Sequence, residues 1–192
     1  MEAADLRLAQ LLTLRAQRDG VWAPGPLPRG SLLHAQGAVH DGLFVLEAGL
    51  VKLTYLTDNG DEWIKSLIAD RGLFGGFAPQ PQPSRFGAVA IEPVRVAELP
   101  GAWLRTVLAR DPALAAASAQ FFVWLAERKQ VREEALLCQS AEQRYCQIIA
   151  QEPDLVRRLP QGDIARYLRI TPVAFSRIKR RLGLGAQATT SR

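Results

Sequence analysis

Two short helical segments joined by Arg169-Ile170-Thr171 constrain this chain more than any other stretch of it. Thr171-Pro172 reads as a helix start, because a threonine hydroxyl accepts from an orphan backbone N–H and proline at the first helical position needs no N–H of its own. On the helix that follows, Ala174, Phe175, Ile178 and Leu182 fall on one side at the helical period. Val173, Ser176, Arg177 and Arg180 fall on the opposite side, flanked by Lys179 and Arg181. The preceding segment, Gln161 to Leu168 with Pro160 at its mouth, turns Ile164, Ala165 and Leu168 inward. Helices joined this tightly must cross steeply, the geometry that lays a second helix in a major groove.

Charge supports the same reading. Residues 155–192 hold nine Lys/Arg against one acid, Asp163, and so carry +8; the chain is +5, which leaves −3 for residues 1–154. A mildly acidic body with a basic end is the electrostatic footprint of nucleic-acid binding. A solvated basic surface helix is the plainer alternative; the segregated faces, capped start and tight turn weigh against it. On this geometry Arg177 is expected at a base edge, with Lys179, Arg180 and Arg181 at phosphates.

The run from Leu159 to Leu182, with its core Ile164-Ala-Arg-Tyr-Leu-Arg-Ile-Thr-Pro-Val-Ala-Phe-Ser-Arg-Ile178, resembles the DNA-reading end of the cyclic-AMP receptor protein/FNR (Crp/Fnr) superfamily of bacterial transcription regulators. Ser140-Ala-Glu-Gln-Arg-Tyr145 resembles the start of the same module. The resemblance places the family's base-reading slots on Pro172, Val173, Ser176 and Arg177, with Gln161 and Thr171 as further contacts. It implies double-stranded DNA, a second copy of the chain and RNA polymerase as partners. Two departures stand out. Family members usually have glycine where Arg169 stands, so a residue with a Cβ is expected in a left-handed conformation, at a cost of roughly 1 kcal/mol. Val173 replaces the acid that many members carry, so a target sequence does not transfer. The tail after Leu182 leaves no room for the family's β-wing and is expected to fray.

From about Leu27 to Pro100 short apolar runs alternate with glycines: Leu43-Phe-Val-Leu46, Leu50 to Leu56, Trp63 to Ile68 and Ala88 to Ile91. Asn59-Gly60 between two runs is a hairpin signal. Strands at this spacing predict a sandwich or jelly-roll barrel, preceded by a helix over 2–18 with Leu8, Leu11 and Leu12 on one face. The phrase from Gly42 to Leu53, with Gly72-Leu-Phe-Gly75, resembles the superfamily's sensor domain. Its nucleotide-binding members carry a Gly-Glu pair followed by Arg-Ser-Ala. Here Gly75 and Arg85 match, while Gly76 stands where the glutamate belongs and Phe86-Gly87 follow the arginine. Prolines 79, 81 and 83 lack N–H groups and favour extended chain over helix, which dismantles a cradle of backbone donors. Gly75 and Arg85 are thus the residual ligand candidates, cyclic-nucleotide binding is not expected, and a surface ion pair is the commoner fate of a lone arginine.

From Pro112 the chain reads as one helix. Leu114, Ala117, Phe121, Trp124, Arg128, Val131, Ala135 and Cys138 recur at spacings of three and four, a coiled-coil seam with Arg128 as a register-setting polar residue. Phe122, Leu125 and Leu136 form a second face for packing on the barrel; the other possibility is that the seam itself packs there. Ser140 and Gln143 predict a capping box and a new helix.

Other chemistries find little footing. His34, His40 and Glu47 lack the spacing and third histidine of a cupin metal site, and no nucleophile triad or phosphate loop is present. Cys138 and Cys146 are too few for a cluster and read as buried reduced thiols. No apolar run of about 18 residues predicts a membrane span, and the N-terminus lacks a basic leader, so a cytoplasmic protein is expected. The expected fold is α+β: a β jelly-roll over 1–110, a dimerisation helix over 111–138 and a helix-turn-helix over 139–192 without a full wing. The expected protein is a homodimeric DNA-binding regulator without cofactor, metal or enzymatic activity. The rival is a small-molecule sensor whose C-terminal module docks a protein.

Overall fold

The computed structural model describes residues 3–75 and 81–184. The chain divides into two units, Met1–Val131 and Arg132–Arg192. In the first, helix α1 (Ala3–Arg18) leads into β1 (Gly25–Leu27), β2 (Leu32–His34), β3 (Val39–His40), β4 (Gly42–Ala48), β5 (Leu50–Leu56), β6 (Glu62–Ala69), β7 (Leu73–Gly75), β8 (Gln82–Pro83), β9 (Gly87–Ala90) and β10 (Val94–Pro100), then helix α2 (Gly101–Arg110) and most of α3 (Pro112–Cys138). The strands form two antiparallel sheets in the orders β1-β10-β4-β7 and β2-β9-β5-β6, with β3 and β8 paired separately. This is the jelly-roll arrangement expected from the spaced apolar runs.

Strand β4 shows why such a run folds this way. Successive side chains of a strand point to opposite faces. Phe44 and Leu46 pack with Val51, Leu53, Phe74, Ala88, Val94 and Val96 from both sheets. Leu43 and Val45 point the other way, onto helices. A strand buried on both faces is apolar without alternation. The next turn needs Gly49, at φ +107°, where a Cβ would come within 2.7 Å of Val94 Cγ1 and 2.8 Å of Pro93 O. The Asn59-Gly60 signal closes the β5–β6 hairpin: Thr57 N–H donates to Asp61 O and Gly60 N–H to Thr57 O, both at 2.9 Å.

The helices cover the outer face of the first sheet. Leu8 and Leu12 of α1, Leu104 and Val107 of α2, and Leu114, Ala117, Phe121 and Trp124 of α3 are buried there with Leu43, Val45, Leu73 and Leu99. This corrects the expected seam. Its first four members are between 2% and 9% exposed within their own unit and have no surface left for a second copy. Arg128 lies beside Trp124, its guanidinium carbon 5.2 Å from the ring centroid. Val131 is exposed and Ala135 half-buried. Phe122, expected to pack on the barrel, is exposed instead, and only Leu125 of that second face joins the core.

The second unit contains the last turns of α3, then α4 (Ala141–Gln151), α5 (Pro153–Arg158), α6 (Gln161–Tyr167) and α7 (Pro172–Arg181). Ser140 and Gln143 form the expected capping box: Gln143 N–H donates to Ser140 Oγ at 3.2 Å, and Ser140 N–H to Gln143 Oε1 at 2.8 Å. Tyr145, Ile148, Leu159, Ile164, Ala165, Leu168, Phe175 and Ile178 are buried. The cysteines correct a second expectation, since both are free and exposed: Cys138 ends α3, and Cys146 follows the inward Tyr145. Of the tail expected to fray after Leu182, Gly183 and Leu184 make the backbone bonds that close the end of α7; residues 185–192, like Gly76, lie outside the described residues. Among the described residues no helix is long and apolar enough to cross a membrane, and no group of three or more His, Cys, Asp or Glu is placed to hold a metal.

Candidate nucleic-acid interface

Thr171 is the N-cap of α7, in extended conformation, and its hydroxyl accepts from Ala174 N–H at 3.2 Å; Pro172 occupies the first helical position. Both were expected from the residue types. Phe175 and Ile178 anchor the inner face at 1% and 5% exposure, and Phe175 meets the Tyr145 ring edge-on at 4.9 Å between centroids. On the outer face Val173 is 63% exposed, and Ser176, Arg177 and Arg180 are exposed with it. Thr171, Pro172 and Gln161, at the starts of α7 and α6, are exposed as well.

Two cations behave differently from the rest. Lys179 is half-buried, its ammonium 5.9 Å from the Phe175 ring centroid. Arg181 donates to Glu142 Oε2 at 2.6 Å, which ties the end of α7 to the first turn of α4. Arg177 and Arg180 are therefore the cations that α7 presents most openly.

The turn between α6 and α7 carries the expected strain. Arg169 has φ +60°. Its N–H donates to Arg166 O at 3.3 Å, and Ile170 N–H donates to Ala165 O at 3.1 Å. That pair of bonds closes a helix end of the kind that favours glycine in the left-handed position. The same device ends α7, where Gly183 (φ +69°) takes that position and Leu184 N–H donates to Lys179 O at 2.9 Å.

Residues that sequence reasoning missed lie behind this turn. Arg132 Nη2 donates to Tyr167 O at 3.0 Å, and its guanidinium carbon is 3.9 Å from the Tyr167 ring centroid. Arg144 Nη2 donates to Leu168 O at 2.7 Å. Burial, and then the neighbouring charge of Arg132, lower the pKa of Arg144. The acceptors are backbone carbonyls, so no residue letter announces them; only the Arg-Tyr pair at 144–145 pointed here.

In the β-roll, Gly75 has φ +125°, and a Cβ there would come within 2.6 Å of Gly42 O. The close approach of β7 to β4 thus accounts for this glycine without a ligand. Arg85 is exposed. Just before it, Gln82–Pro83 is extended as β8, which pairs Gln82 with His40 and Pro83 with Val39; Pro79 lies outside the described residues. Beside it His34, His40, Phe44 and Phe74 stack in sequence with centroid separations of 4.8–5.1 Å, and Phe86 meets His34 edge-on. His34 is buried, and burial, then His40, lower its pKa.

Residues 25–111 match the cyclic nucleotide-binding domain family. No curated protein matches the chain in sequence. Among solved structures, FixK2 from Bradyrhizobium japonicum is 17% identical over 90% of this chain and 89% of its own, with a TM-score of 0.76. The c-di-GMP responsive global regulator CLP of Xanthomonas campestris is 13% identical over 95% of this chain and 96% of its own, with a TM-score of 0.73. A protein of Eubacterium rectale described as a transcriptional regulator of the Crp/Fnr family is 13% identical over 100% of this chain and 88% of its own, with a TM-score of 0.70. The β-roll thus matches a cyclic nucleotide-binding domain, and the chain as a whole shares the fold of these solved structures.

Proposed function

We propose that this chain is a sequence-specific DNA-binding transcription regulator that acts as a homodimer and does not answer to cyclic nucleotides. The observation that carries the reading is α7: an aromatic and aliphatic back sealed into its own unit, and a front of Val173, Ser176, Arg177 and Arg180 left open. Such a rod fits a major groove, with Arg177 placed to fork onto guanine O6 and N7 and Arg180 placed for a phosphate.

The second copy is assigned to the exposed side of α3 in place of the expected seam. Ala116, Ala119, Val123 and Ala126 recur at spacings of three and four, are all exposed, and have exposed Phe122 alongside. Small residues at such positions let two helices approach closely, and the spacing suits a helical partner of the same sequence. A two-fold pair of groove helices then requires half-sites about one helical turn apart. Against a cyclic nucleotide stand the prolines that replace cradle donors, the pairing of β8 with β3, and the ring stack beside Arg85.

Salt titration of binding to duplex fragments selected from random sequence tests the reading. Arg177→Ala is expected to cost about 1–3 kcal/mol and to relax one base position. Arg180→Ala is expected to weaken all sequences alike and to lower the log–log salt slope by about 1. Flat salt dependence in the native chain would instead favour a protein as the partner of the C-terminal module. Val123→Glu is expected to shift sedimentation from dimer to monomer; an unchanged dimer would remove α3's open face from the interface.

A further inference from the structure

Arg132 and Arg144 donate to backbone carbonyls that sit at one place in the fold. A helix leaves its last carbonyls without internal partners, and its C-terminus carries partial negative charge. Arg144 serves two such ends at once. Its Nη1 donates to Gln139 O at 2.5 Å and reaches Ala135 O at 3.4 Å, both at the end of α3. Its Nη2 donates to Leu168 O at the end of α6. Arg132, from the last turns of α3, reaches the preceding carbonyl of α6, that of Tyr167, and stacks on the same residue's ring.

The next residue is Arg169, whose left-handed conformation redirects the chain into α7. A guanidinium is a rigid planar fork, so bonds from two of them to successive carbonyls fix orientation as well as distance. We propose that Arg132 and Arg144 form a latch that sets the angle at which α7 leaves the end of α3, and that they are positioning residues for DNA recognition. The proposal rests on α7 being the groove helix. It goes further by naming what aims that helix: neither arginine lies on its open front, and both act through α6.

The latch makes a demand that phosphate-contacting arginines do not. In a dimer the departure angle of α7 from α3 determines the separation of the two groove helices, hence the preferred spacing of half-sites. Loosening it spreads that separation while the phosphate contacts remain.

The test uses the full chain and the variants Arg132→Met, Arg144→Met and Arg144→Lys. Each is measured by anisotropy on the selected duplex and on duplexes with one base pair inserted between or deleted from the half-sites, across a salt series. The methionine variants are expected to bind the selected duplex about tenfold or more weakly, the scale of losing charge-assisted hydrogen bonds. Their preference for native spacing should fall towards unity while the salt slope stays at the native value. Arg144→Lys keeps the charge without the fork and should not restore spacing preference. Native spacing preference in both methionine variants overturns the latch, as does an affinity loss accompanied by a lower salt slope, which would make these arginines direct phosphate contacts.

Amide hydrogen exchange on the free protein supplies a readout that needs no DNA. Exchange at Arg169 and Ile170 should quicken about tenfold in Arg144→Met, while Leu8 and Leu12 in the first unit keep native protection. Unchanged exchange at the turn overturns the latch even if the native chain binds no duplex. Faster exchange with no duplex binding by the native chain sinks the regulator reading and leaves the latch as a feature of the fold.

Discussion

The substitution Asp5→Asn isolates one buried charge, and its effect can be worked from the structure. Asp5 lies on α1 at 7% exposure, and its Oδ1 has no hydrogen-bond partner. Burial pushes the carboxyl up from its ordinary 3.8 to about 6, against the opposing pull of the Arg128 charge and a backbone hydrogen bond at Leu73. A raised carboxyl pKa means that the folded state holds its proton more tightly than the unfolded one. The group's favourable contribution is therefore whole below pH 3.8 and is lost as pH rises through about 6. A displacement of about two units, at about 1.4 kcal/mol each, amounts to about 3 kcal/mol by neutral pH. Asparagine has the same shape and no titration. Its stability relative to aspartate should thus improve by about 2–3 kcal/mol between about pH 4 and pH 8, whatever constant offset its amide adds. Urea unfolding followed by tryptophan fluorescence measures this directly, because Trp22, Trp63, Trp103 and Trp124 all lie in the first unit. Denaturation curves for the two proteins that keep a constant separation across that pH range would refute the reasoning, since they would show that Asp5 ionises in the folded protein as it does in water.

Three further outcomes are expected. At Arg169 the left-handed turn should rank substitutions, with Gly at least as stable as Arg and Ile lower by about 1 kcal/mol or more; thermal melts by circular dichroism that rank Ile equal to Gly would contradict the strain. Phe175→Ala should cost about 3–5 kcal/mol and release the Tyr145 ring, seen as lost helical signal and lost duplex binding at a temperature where the native chain retains both. His34 is held neutral by burial and then by His40, so its depressed pKa stabilises the roll above the ordinary 6.5 and the benefit is lost as pH falls below it. His34→Phe keeps a ring in the stack and should flatten the acid limb of tryptophan-detected stability; an unchanged limb would place the acid sensitivity elsewhere.

How legible all this was depended on whether a residue's role is local. The faces of α7 follow from the helical period, the Thr171 cap from its hydroxyl, and the left-handed Arg169 from the resemblance to a family that usually has glycine there. The short strands likewise declare themselves through apolar runs and the Asn59-Gly60 turn. Helix α3 misled because it is apolar on more than one side. The stripe with the larger residues, Leu114, Phe121 and Trp124, was the one its own barrel needed most, since large side chains gain most from burial. That left the stripe of Ala116, Ala119, Val123 and Ala126 exposed. Cys138 and Cys146 were misplaced because a cysteine letter says nothing about which way a helix turns it. The arginines at 132 and 144 escaped notice because their partners are peptide carbonyls.

Strand β4 carries a mechanical corollary. Phe44 and Leu46 belong to the interior of the roll, while Leu43 and Val45 belong to the helical side. Along this partition the wall is a single peptide thick, and adjacent residues on opposite sides share the same backbone. Whatever nudges Phe44 from within must also tug at α1 and the start of α3, because no compressible layer intervenes.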